Sequence, residues 1–350
     1  MSDRMRSPKP ASPDRGRRVT IREVAALADV SLGTASRVIN KVANVSPEIR
    51  EKVEVAIRTL GYTPDVVAQS MRNGESKTVG ILVRNITSPV LAGFVRSAQE
   101  VLNAEDYTVL LACFEESRER EISFLRTAAS RRIDGLIMTT TSEIDADLLA
   151  TRAAVDIPTV LFDREVPETD DALLIAHEQG VMQALAHLFA LGHRHIAFLT
   201  GSESVYPARA RLRGYRRFFE EKGLPVDGRL VKSSSFAEEG TFIETSTLLG
   251  LAQPPTAIVL GGISMLAGAM RAIAARGLRV PQDVSLVGSG DSELALLASP
   301  PISVVRWNLA SIGSACALLL LDRLKGRAPQ EPRRIVVPTE FVIRGSCAAR

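Results

Sequence analysis

Four short polar side chains and one guanidinium lie close together in one short segment. Ser31, Thr34, Ser36 and Asn40 carry small hydrogen-bonding groups, and Arg37 carries a planar fork of N–H donors. At 100° per residue, Gly33, Ser36, Arg37 and Asn40 fall opposite Ala35, Val38 and Ile39. A helix with such a slim, polar face can enter a DNA groove. Arg37 can donate two parallel N–H groups to guanine O6 and N7, and Leu32 can touch a thymine methyl group. The hydroxyls and the amide suit phosphate oxygens. Three helices that bind no nucleic acid are the bland alternative to this reading.

The flanking residues say how that face is held. Thr20-Ile-Arg-Glu23 is a capping box, a Thr cap with Glu three residues on, ahead of apolar Val24 and Leu27. The first helix is expected to end near Ala28, with Asp29-Val30 as the turn and Ser31 as the next N-cap. A third helix starts at Ser46 with Pro47 at its first position and stops at Gly61. Its apolar face is Ile49, Val53, Ala56, Ile57 and Leu60. Two short helices joined by a tight turn and braced by a third form a helix-turn-helix unit.

Charge points the same way. Residues 1–75 hold 13 Lys and Arg against 9 Asp and Glu, while the other 275 hold 30 against 31. The basic excess therefore sits with the helical unit, as a footprint for a polyanion would. A solvated basic tail gives the same count, and charge alone does not choose between them. Residues 1–18 carry three prolines, six basic residues and no periodicity, and read as a disordered arm.

From Thr78 onward, short apolar runs at 79–83, 108–112, 135–138, 159–162, 196–200, 257–260 and 284–288 alternate with helical spacing at 94–104, 119–129, 179–191 and 265–276. That alternation predicts parallel sheets with helices on both faces. A unit of this size splits into two lobes. No apolar stretch reaches the roughly 18 residues a membrane span needs. The N-terminus shows no apolar signal core, which predicts a cytoplasmic protein. Cys113, Cys316 and Cys347 are far apart and read as reduced thiols. His193 and His195 form HxH without further ligands nearby, and Gly288-Ser-Gly-Asp291 lacks the third Gly of a dinucleotide loop. No nucleophile–base pairing is evident, so neither an enzyme, a metal nor a cofactor is expected.

The stretch from Thr20 to Asn40 resembles the DNA-binding head of the lactose/galactose repressor family. The resemblance continues through Val45-Ser-Pro-Glu-Ile-Arg50, Leu60-Gly-Tyr-Thr-Pro64, Arg132-Ile-Asp-Gly-Leu-Ile137, Leu191-Gly-His-Arg-His-Ile-Ala-Phe198, Arg211-Leu-Arg-Gly-Tyr215 and Pro338-Thr-Glu-Phe-Val-Ile-Arg-Gly345. It implies an α/β fold: an N-terminal all-α helix-turn-helix head at 19–62, a hinge helix and linker at 63–77, and at 78–350 a two-lobed core like periplasmic binding proteins. It also implies a ligand-responsive repressor that binds a near-palindromic operator as a homodimer, less readily as a tetramer, with a small metabolite between the lobes. The expected DNA-contacting set is Thr20, Arg22, Ser31, Leu32, Gly33, Thr34, Ser36, Arg37, Asn40, Asn44 and Ser46, with Arg22 and Asn44 matching base-contact positions. In the hinge, Ala68 matches a small residue allowing close helix approach, and Met71 matches a minor-groove wedge. An enzyme or a transporter's solute-binding protein with a helix-turn-helix head is the rival class.

For the cleft, the resemblance implies a ligand set of Asp163, Arg211, Asp291 and Trp307, with Arg164 beside Asp163. Several family polar groups are absent: Gly262-Ile263, Gly290 and Ala176-His177 stand at positions that usually carry acids or amides. A cleft that loses hydroxyl-binding groups and keeps arginines suggests a less hydroxylated, acidic effector, such as a sugar acid or other organic acid gripped by Arg211 with help from Arg209.

Overall fold

The computed structural model describes residues 19–40, 44–63, 75–87, 89–165 and 169–350. Contacts divide the chain into two compact units, Met1–Ser76 and Lys77–Arg350.

In the first unit, α1 (Ile21–Leu27), α2 (Leu32–Ile39) and α3 (Pro47–Leu60) follow the expected caps within a residue. The Thr20/Glu23 box closes in both directions, Thr20 N to Glu23 Oε2 at 2.7 Å and Glu23 N to Thr20 Oγ1 at 3.4 Å. Asp29 turns the chain in left-handed backbone, φ 52°, a conformation Asp tolerates better than most residues. Ser31 and Ser46 cap α2 and α3. Val24, Ala28, Val38, Val53 and Ala56 form the buried centre.

The second unit holds two six-stranded sheets. The first lobe has order β11-β5-β4-β3-β1-β2, all parallel: β1 (Thr78–Val83), β2 (Thr108–Cys113), β3 (Gly135–Met138), β4 (Thr159–Phe162), β5 (Asp171–Ile175) and β11 (Arg334–Val337). The second has order β12-β10-β9-β8-β6-β7: β6 (Ile196–Gly201), β7 (Val231–Ser234), β8 (Ala257–Leu260), β9 (Ser285–Ser289), β10 (Ser303–Arg306) and β12 (Glu340–Val342), of which only β12 runs antiparallel. The strands β1, β3, β4 and β5 are almost wholly buried, as are β6, β8 and β9. Helices therefore cover both faces of each sheet, as parallel sheets require. The first lobe has α4 (Pro89–Asn103) and α12 (Leu309–Leu324) on one face, and α5 (Arg118–Ser130) and α6 (Ala146–Ala153) on the other. The second has α7 (His177–Ala190) with α8 (Tyr206–Glu221), and α9 (Glu238–Leu249) with α10 (Met265–Ala275); α11 (Glu293–Leu297) lies beside α10.

The chain passes between lobes three times, after β5, after β10 and between β11 and β12. Ala176 N donates to Val337 O at 2.9 Å and Thr339 Oγ1 to Ala176 O at 3.1 Å, tying two of these crossings together. Sequence periodicity does not reveal β5, β7, β10, β11 or β12. β5 opens on Asp171, a buried carboxylate held by Arg323 and Arg333 at 2.7 Å each. The last strand pair also forms between distant parts of the chain.

Candidate nucleic-acid interface and effector site

In the head, α2 buries Ala35 and Val38 and exposes Leu32, Gly33, Arg37 and Asn40, with Ser36 half-buried. Ser31 Oγ accepts from Thr34 N at 3.1 Å and contacts Thr34 Oγ1 at 2.9 Å, while Asn40 Nδ2 donates to Ser36 Oγ at 3.2 Å. These short side chains thus hold the helix as well as its face. Thr20 and Ser46 act as caps at exposed positions. Arg22 and Asn44 are exposed too. Among the described residues, Arg37 has no ion-pair partner and remains available to an incoming acceptor. A Cβ on Gly33 would meet only Ser31 Oγ at 3.8 Å. Packing within the head therefore does not require a glycine there. The basic arm, Ala68 and Met71 lie outside the described residues.

Between the two lobes lies a cavity of about 120 Å³. Phe162, Ile263, Phe236, Trp307 and Leu309 supply its apolar walls, and Arg84, Arg164, Arg211 and Asp163 are its charged lining. Three of these four charged groups come from strand ends. Arg84 follows β1; Asp163, at φ 54°, and Arg164 follow β4. Arg211 projects from the second turn of α8.

Asp163 is buried and bound on both oxygens by His177 Nε2, at 3.0 and 2.9 Å. His177 opens α7 at the first crossing, is 1% exposed, and packs edge-on against Trp307 with ring centroids 5.4 Å apart. Burial pulls the His177 pKa down to about 4, and the charge of Arg211 adds to the fall. At neutral pH the ring is therefore uncharged, with its proton on Nε2 facing the carboxylate. Burial alone would raise the Asp163 pKa, but His177, Arg211 and Arg164 hold it below the usual carboxylate range.

Arg211 is 5% exposed and lies between the rings of Phe236 and Trp307, 5.8 and 5.7 Å from their centroids. Its Nη2 lies 3.5 Å from His177 Nε2, which already carries a proton. Among the described residues, the Arg211 guanidinium has no anionic or carbonyl acceptor. Burial draws its pKa down to about 10, Asp163 opposing and Arg164 and Arg84 adding to the fall. Arg164 donates to the carbonyls of Thr140 and Asp163.

Two residues of the expected ligand set stand elsewhere. Arg209 does not line the cavity. Its Nη2 donates to the buried carboxylate of Glu143 at 2.6 Å, which also accepts from Glu165 N and Tyr206 N. Asp291 pairs with Arg344 at 2.6 Å and Arg306 at 3.4 Å. Arg84 and Phe236 are cavity residues that sequence reasoning did not single out, and His177, read there as a lost polar group, instead supports Asp163. The clue to Arg84 was its place directly after the apolar run at 79–83. Two missing polar groups explain each other: a Cβ on Gly290 would lie 2.4 Å from Ile263 Cγ1, so Ile263 fills the space beside the glycine.

Known proteins match both units. A model of bacterial regulatory proteins of the lacI family covers residues 20–65, and a periplasmic binding protein-like domain covers 185–347. The ribose operon repressor of Haemophilus influenzae is 33% identical over 330 residues, 93% of this chain and 98% of its own. The chain is a LacI/GalR-family transcriptional regulator. Among solved structures, the regulator resembles the transcriptional regulator CelR–cellobiose complex, with TM-score 0.72, 32% identity, and coverage of 94% of this chain and 100% of that one. It also resembles a lac repressor dimer bound to operator and the anti-inducer ONPF, with TM-score 0.82, 29% identity, and coverage of 95% and 100%. Its relatives are regulators and not enzymes. It is a DNA-binding, ligand-responsive protein with a small-molecule effector. Among the described residues, no helix is long and apolar enough to cross a membrane, and no group of three or more His, Cys, Asp or Glu is placed to hold a metal ion.

Proposed function

We propose that the regulator represses transcription as a homodimer on a near-palindromic operator, and that an acidic metabolite in the interlobe cavity sets its grip on DNA. The observation that carries the acid reading is Arg211, buried and without an acceptor among the described residues, in a cavity where three guanidiniums face one carboxylate. A buried guanidinium with no acceptor bonded to it is costly even with Asp163 nearby, and an anion entering there relieves the cost with charge-assisted bonds. The DNA reading rests on the exposed face of α2, with Arg37 reading guanine and Leu32, Arg22 and Asn44 adding contacts. Gly33 gives close approach. Ala68 and Met71 are proposed to act at the minor groove.

Dimerisation is supported by apolar residues left exposed on α9 and α11, namely Ile243, Leu294, Leu296 and Leu297. A two-fold dimer presents two recognition helices to two half-sites. Asp163 and Trp307 are the proposed positioning residues for the effector. Asp291 is proposed to act at the cavity only through Arg306 and Arg344, and Arg209 only through Glu143.

Gel shifts against genomic fragments across a salt series test the DNA reading. Specific binding whose affinity falls steeply with salt is expected. No preference for any promoter fragment over random duplex, with or without metabolites, would overturn it. Calorimetric titration with organic acids and neutral sugars tests the effector. Binding confined to neutral sugars defeats the acid reading.

A further inference from the structure

A second cation of the cavity, Arg84, comes from the lobe opposite Arg211. Both guanidiniums approach the same ring: Arg84 lies 5.6 Å and Arg211 5.8 Å from the centroid of Phe236. Arg84 spans the cleft, with Nη2 donating to Ser264 Oγ of the second lobe at 3.4 Å. Its Nη1 donates to Glu116 Oε1 at 3.3 Å, and Ser235 Oγ of the second lobe donates to the other oxygen of Glu116 at 3.5 Å. Glu115 and Glu116 both take left-handed backbone, φ 49° and 64°, which turns the Glu116 carboxylate back toward Arg84. Arg84, itself braced by Ser264, and Ser235 thus already hold a carboxylate at the edge of the cleft. Both bonds to Glu116 are long, and its side chain is 48% exposed. An internal carboxylate held this loosely is displaceable, and it shows which chemistry these donors accept.

Building on the acidic-effector reading, we infer that the effector is a compact dianion: Arg211 takes one acidic group and Arg84 takes the second, displacing Glu116 and linking the lobes through the ligand. The small cavity excludes a bulky scaffold, and its aromatic and aliphatic walls favour a short apolar middle. The grip from opposite lobes couples binding to closure, because each acidic group is fully paired only when the lobes meet.

The test is calorimetry on the full-length protein with the unbranched dicarboxylates from oxalate to adipate, the monocarboxylate of matching length for each, and neutral sugars. At least one dicarboxylate should bind ten-fold or more tightly than its monocarboxylate. Arg84→Gln should abolish that preference while keeping the monocarboxylate affinity, which also certifies that the variant is folded. Glu116→Gln should tighten dicarboxylate binding. The inference is overturned if no dicarboxylate outbinds its monocarboxylate, including silence across the whole series. It is equally overturned if Arg84→Gln keeps the preference, or if Glu116→Gln leaves the affinity unchanged or weaker. Acids bound without regard to a second carboxylate would sink this inference alone. Binding of neutral sugars only would sink the acidic reading beneath it.

Discussion

The head and the cleft each present an arginine to a partner, in opposite physical settings. Arg37 is exposed on a helix whose caps lie within a few residues, so its bond to a base must displace water on both sides. Arg211 is already stripped of most water and held by rings and helices from distant parts of the chain. An exposed charge attracts many anions weakly, whereas a buried one in low dielectric discriminates strongly by geometry. The difference suits the tasks: a head that searches a long polyanion, and a core that answers one small molecule.

The comparison breaks first at the core's own ion cluster. Burial would raise the Asp171 pKa, but hydrogen bonds from Arg323 and Arg333 hold it at about 2. Asp171→Asn leaves Arg323 without its carboxylate and Arg333 with only Asp322, 2.9 Å away, and should cost about 3–5 kcal/mol. Urea unfolding followed through Trp307, the only tryptophan, would measure the loss, and an unchanged midpoint would refute it.

A smaller effect comes from pH. His177 stays neutral in the fold down to about 4, whereas in the unfolded chain it takes a proton near 6.5. Its contribution is therefore intact above pH 6.5 and falls progressively as pH drops toward 4, by roughly 3 kcal/mol in all. His177→Gln should flatten that slope in urea unfolding between pH 7 and 4.5; an unaltered slope would assign it to other groups.

In the head, Arg37→Ala should cost about 1–3 kcal/mol on the preferred operator and relax selectivity at one base pair. Binding to random duplex should change little. Gel shifts on single-base operator variants measure both, and an equal loss on every sequence would make Arg37 a phosphate contact. The smallest effect is Gly33→Ala. Open space at its Cβ predicts stabilisation of up to about 1 kcal/mol in thermal unfolding, together with altered operator preference. Destabilisation would mean that the head itself needs the glycine.

Legibility followed the range of the interactions. The three head helices could be read nearly to the residue, because Thr20, Glu23, Ser31, Ser46, Pro47 and Gly61 act on backbone groups within one turn. The alternating strands and helices of the core were visible for the same reason. Edge strands such as β7 and β11 were not, since β7 is mostly polar and β11 mostly exposed, so neither presents a buried apolar run. In the cleft, Arg211 and Asp163 could be placed by resemblance; His177 was placed there only as a lost polar group, and Arg84 not at all. Arg209 looked like a helper two residues from Arg211, yet that offset turns it about 200° around the helix, toward Glu143.

By itself, then, the sequence determined the capped helices of the head, its polar reading face and the α/β character of the core, all fixed by neighbours along the chain. Only the tertiary structure decided which guanidiniums share a cavity, which are already neutralised by a carboxylate, and which still lack one among the described residues. Charge balance inside a cleft is a sum over residues far apart in sequence, and folding is what brings its members within reach of one another.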